Sequence, residues 1–111
     1  MKKEDSYFVK LSHEQAEEYR ALIPKGSDNA VTAAELATRF RMPERRARAV
    51  IACLRSKHPA KGEAVLSSEN GYWRSQDATE ILRFVRRSES SARHIFRSLR
   101  EARAALTEQH E

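Results

Sequence analysis

At 111 residues the chain has room for one compact domain and an appendage rather than two full domains. Its 40% apolar and 33% charged residues suit a small core beneath a highly charged surface. The longest apolar run, the six residues Ala49 to Leu54, falls far short of the roughly 18 that a membrane-spanning helix needs, so no membrane partner is expected. Lys2 and Lys3 lead into Glu4 and Asp5 instead of an apolar stretch, so no secretory leader is expected and the chain is assigned to the cytoplasm. Cys53, the single cysteine, can form neither an internal disulfide nor a cysteine-based zinc site.

The net charge of +5 is concentrated in the middle of the chain. Between residues 39 and 58, Arg39, Arg41, Arg45, Arg46, Arg48, Arg55 and Lys57 face Glu44 alone, whereas residues 1–38 are net acidic. A local basic field of this kind suits a polyanionic partner. Arginine outnumbers lysine fifteen to six, which favours bidentate contacts to phosphate or guanine over point-charge attraction.

In chain order, residues 1–12 read as an N-terminal arm. Ser12 and Gln15 have capping-box spacing, with Leu11 placed to staple onto Ala16, and Ala16, Tyr19 and Ile23 recur at helical intervals. They predict a first helix from His13 to Ile23, broken by Pro24, Gly26, Asp28 and Asn29. Thr32 and Glu35 form a second capping box, opening a short helix with Leu36 and Phe40 on one face that ends near Arg41. Met42 then falls in a turn, and Pro43 suits the first position of a third helix, where its missing N–H would be unpaired anyway.

Within Glu44–Lys57, Ala47, Val50, Ile51 and Leu54 follow the i, i+3, i+4, i+7 spacing of a buried stripe. Arg45, Ala49, Ala52 and Ser56 project oppositely, with Arg46, Arg48, Cys53 and Arg55 on the flanks. Alanines let a helix backbone approach a surface while arginines reach past them. The plainer alternative is a solvated face laced with intrahelical pairs such as Glu44 with Arg48.

Beyond Gly62 the pattern turns extended. Ala64 to Leu66 and Tyr72 to Arg74 flank Asn70-Gly71, a strong hairpin signal because both turn positions need positive φ; Trp73 is expected in the core. Asp77 and Glu80 form a third capping box, opening a helix that runs to the C-terminus without proline or glycine. Its seam, Ile81, Val85, Ser88, Ala92, Ile95, Leu99, Ala102 and Leu106, alternates by four and three like a coiled coil and is weakest around Ser88 to Ala92. Such a helix either folds back on the domain or pairs with its twin, and the predicted dimer interface is that seam without Ser88.

The segment Val31-Thr32-Ala33-Ala34-Glu35-Leu36-Ala37, through Phe40-Arg41-Met42-Pro43 to Val50, Ile51 and Leu54, followed by the Asn-Gly hairpin, resembles the winged helix-turn-helix superfamily over about residues 13–74, and the resemblance implies such a domain over 13–76. Leu22-Ile23-Pro24, Gly26 and the long charged C-terminal helix over 77–111 are also similar to small phage-encoded proteins of this type. The expected fold is therefore mainly α with a small β-hairpin, a winged helix-turn-helix followed by a coiled-coil-like helix. The resemblance implies that the third helix enters a DNA major groove, with Arg45, Arg46 and Arg48 reading bases or phosphates and Arg41 and Arg55 clamping phosphates. Lys57 and Lys61 would touch the backbone, and Ser67, Ser68 and Asn70 would sit at the wing. The expected function is a dimeric, sequence-specific binder of double-stranded DNA, most simply a transcriptional regulator. The alternative is a phage-type inhibitor using the same fold against a host protein or nucleoprotein complex.

Enzymatic signals are thin. His13 and Glu14 lack the second histidine of a metalloprotease helix, since Glu17 stands four residues after His13. Glycine occurs only at 26, 62 and 71, which excludes the known phosphate-cradling motifs. Cys53 reads as a packed thiol rather than a nucleophile. No catalytic residue, metal or cofactor is expected.

Overall fold

The computed structural model describes residues 9–109. Of the predicted arm, residues 1–8 lie outside the described residues, as do residues 110–111 of the predicted last helix. The chain is mainly helical with one small antiparallel hairpin, and it divides into two units, residues 1–81 and 82–111.

The first unit begins with α1 (His13–Ala21), opened by the Ser12/Gln15 capping box. It ends two residues before the predicted Ile23, where the chain turns toward Pro24 with Ile23 itself fully buried. A single 3-10 turn (Ser27–Asn29) leads to α2 (Ala33–Phe40), whose Thr32/Glu35 box is formed in both directions. α2 closes on Arg41 in the left-handed region, φ 59°. The Met42 amide donates to the Ala37 carbonyl at 3.0 Å and the Arg41 amide to Thr38 at 3.2 Å, a Schellman closure that folds the chain sharply into the next helix. Pro43 is the N-cap of α3 (Glu44–Lys57) rather than its first residue as expected, its carbonyl accepting from Ala47.

Ala47, Val50, Ile51 and Leu54 are all buried, as the stripe predicts, and they join Ala16, Ile23, Val31, Leu36, Phe40 and Val65 in one core. Tyr19 packs edge-on against Phe40, ring centroids 5.0 Å apart. Cys53 is buried beside this stripe.

β1 (Ala64–Ser68) pairs with β2 (Gly71–Ser75), Ser68 opposite Gly71 and Leu66 opposite Trp73. The two-residue turn is thus Glu69-Asn70, not the predicted Asn70-Gly71, and neither turn residue has positive φ. Gly71 is needed one place later. At φ 122° its backbone passes so close to Val31 that a Cβ would lie 2.2 Å from the Val31 carbonyl oxygen. That approach lets Val31 and Tyr72 exchange two backbone hydrogen bonds, of 2.7 and 3.0 Å, so the segment before α2 flanks β2 on its far side.

α4 (Ala78–Ser98) starts at Asp77, whose carboxylate accepts from the amides of Thr79 and Glu80. The third capping box is only half formed. The Ser75 hydroxyl satisfies the Asp77 amide instead, and the Glu80 carboxylate accepts from the indole N–H of buried Trp73 at 3.3 Å.

The second unit holds the rest of α4 and α5 (Arg100–Gln109). The expected single helix is interrupted at Leu99, whose amide bonds Phe96 three residues back. The Ser98 hydroxyl takes the Ile95 carbonyl at 2.7 Å, and serine competing for helix carbonyls in this way bends helices. The ladder resumes at once, with Arg103 donating to Leu99. No residue of α4 or α5 is buried. No helix among the described residues is long and apolar enough to cross a membrane.

Candidate functional site

The Schellman turn and the Pro43 cap fix where α3 begins, and its buried stripe fixes which side faces outward. Arg45, Ala52 and Ser56 are exposed on that outer face and Ala49 is half-buried. Arg41, in the turn, and Arg46 and Arg48, on the flanks, are exposed too. Four of the predicted arginines therefore gather around the N-terminal half of α3, beside a strip of small side chains.

They are not equivalent. The Arg48 guanidinium pairs with the Glu44 carboxylate at 2.6 Å along the helix, the intrahelical pair that the plainer reading of this face anticipates. The pair is exposed on both sides, so it stabilises little and can be exchanged for another anion.

Arg55 and Ser67, placed separately in the sequence reading, are brought together. Arg55 donates through Nε to the Val65 carbonyl at 3.0 Å and through its terminal nitrogen to the Ser67 hydroxyl at 3.1 Å, with Tyr72 5.9 Å away under the guanidinium. Desolvation here lowers the Arg55 pKa from its ordinary value, and the neighbouring Tyr72 works in the opposite direction. Arg55 thus ties α3 to β1. Lys57 and Lys61 are exposed, and the Ser68 hydroxyl accepts from the Asn70 amide at the hairpin tip.

Sequence reasoning missed three arginines that fasten the scaffold, one of them Arg39, which donates to the Leu22 carbonyl at 3.0 Å. Arg20 is buried and donates to the His58 carbonyl at the end of α3, with Glu17 at 3.9 Å. Its place four residues after Ala16, on the apolar face of α1, was the available signal. Arg74 donates to the Ile23 carbonyl at 2.7 Å and pairs with Glu63 at 3.6 Å, contacts no local pattern announces.

A second feature, an open polar groove of about 440 Å³, is lined among others by Lys25, Asp28, Glu63, Arg74, Asp77 and Glu80. Arg74, Glu63, Asp77 and Glu80 are already engaged in the bonds described above, so its polarity is largely structural. Among the described residues, no three His, Cys, Asp or Glu side chains come together as metal ligands. Compared with protein-family models, curated proteins and solved structures, the chain matches none.

Proposed function

We propose that this protein is a winged helix-turn-helix reader of double-stranded DNA, acting as a dimeric transcriptional regulator. The observation that carries the reading is the exposed cluster Arg41, Arg45, Arg46 and Arg48 around the small-residue face of α3. A 14-residue helix is about 21 Å long and fits a major groove about 12 Å wide, with alanines admitting the backbone and arginines reaching base edges and phosphates. The β1–β2 hairpin, tied to α3 by Arg55, would act as the wing, offering Ser68 and Asn70 at its tip to the DNA backbone, with exposed Lys61 just before β1. Arg55, exposed and bonded to Ser67, would brace the wing at the place where a phosphate clamp is expected. Dimerisation through the exposed face of α4 and α5 would double the contacts and set the spacing of two half-sites.

The test is anisotropy of a labelled mixed-sequence duplex at about 50 and 200 mM salt, followed by selection from a random pool. Wild-type protein binds with a steep salt dependence that sharpens to one motif. The Arg45→Ala/Arg46→Ala protein binds more weakly, with the log–log salt slope reduced by about 2 and helicity unchanged. No binding at low salt overturns the reading and points to a protein target. Unchanged affinity in the double variant moves the interface off α3.

A further inference from the structure

The second unit leaves an apolar face uncovered, and its charges say what covers it. Of the seven large hydrophobic side chains exposed among the described residues, six lie between Leu82 and Leu106, with Ile95 61% and Phe96 62% accessible. The seam residues Val85, Ser88, Ala92, Ile95, Leu99 and Ala102 keep their four–three spacing through the tightened turn at Leu99, where no residue is inserted. Glu89, Phe96 and Arg103 follow one another at seven-residue intervals along one edge of this seam, and the Arg103 guanidinium lies 5.4 Å from the Phe96 ring.

We propose that this face is covered by the same face of a second copy, running antiparallel. The inference rests on the dimeric part of the function proposed above and adds the orientation. Charge supports it first. At the positions flanking the seam between residues 82 and 105, Glu89 and Arg103 are the only charged side chains. A parallel pairing keeps these two apart, whereas an antiparallel pairing brings the glutamate of each copy to the arginine of the other.

Residue size gives the same answer independently. A parallel pairing in register stacks Ser88 on Ser88 and Ala92 on Ala92, leaving the seam thin. Reversed, Val85 meets Ala102, Ser88 meets Leu99 and Ala92 meets Ile95, each layer joining a small side chain to a larger one, as close packing requires. In that register Glu89 faces Arg103 of the second copy twice over, and Phe96 meets Phe96. A parallel pair would offer Glu89 only Phe84, and Arg103 only Ser98, at the flanking positions. Within one chain Glu89 and Arg103 are 14 residues apart, about 21 Å along a helix, so any coupling between them is intermolecular.

Sedimentation equilibrium of the DNA-free protein tests this. Wild-type protein is a dimer, Glu89→Arg raises the dissociation constant about tenfold, the scale of two exposed ion pairs made repulsive, and Glu89→Arg/Arg103→Glu restores it. A dimer that the second substitution fails to rescue overturns the antiparallel orientation and leaves dimerisation standing. A monomeric wild type overturns both, while duplex binding by α3 is judged by its own titration. In a Cys53→Ala background, oxidising a mixture of Ser88→Cys and Leu99→Cys chains gives the mixed disulfide. A Leu99→Cys disulfide with itself overturns the proposal.

Discussion

Arg41 holds a backbone conformation in which glycine is the least costly residue, since a side chain in the left-handed region costs on the order of 1 kcal/mol. An exposed arginine at that position, at the hinge into α3, is an expense that a DNA contact would justify. Arg41→Gly is therefore expected to stabilise the fold, by about 0.5–1 kcal/mol in urea unfolding, while weakening duplex binding in the anisotropy titration. Stability and affinity falling together would refute the trade-off. The other arginines show why residue type alone misleads. Arg20 and Arg74 hold carbonyls of neighbouring segments and Arg55 holds the hairpin, so much of the basic composition serves as internal fastening.

Among the elements, those specified by near neighbours were legible in the sequence. The boxes at Ser12 and Thr32 and the stripe of α3 depend on residues within seven positions, and all form as expected. Elements whose details depend on distant chain were not. The hairpin turn sits one residue early because Val31 crowds Gly71. The box at Asp77 is half formed because Glu80 answers Trp73. The exposed α3 arginines could be located from periodicity, but the fastening of Arg55 to Val65 and Ser67 needed the fold itself. With Asp77 as the side-chain cap of α4, Asp77→Ala is expected to lower stability by about 1 kcal/mol. Thermal unfolding followed by circular dichroism checks this, and an unchanged midpoint would mean that water replaces the cap without loss.

At the scale of the molecule, the two units differ in kind. The first has a closed core, and the second has no buried residue among those described. Leu99→Asp places a charge in the middle of the uncovered face, and light scattering is expected to show monomers with the first unit still folded; a persistent dimer would put the interface elsewhere. The placement of Trp73 has a consequence for how such changes are seen. It is the only tryptophan, and it and all three tyrosines, Tyr7, Tyr19 and Tyr72, precede residue 82, whereas the remainder of the chain has only phenylalanine. With its indole buried and bonded to Glu80, intrinsic emission excited at the red edge comes wholly from the first unit. The chain thus has a built-in optical label on one of its halves: a red shift reports loosening around the hairpin, and dissociation of the C-terminal helices passes without a signal from within them.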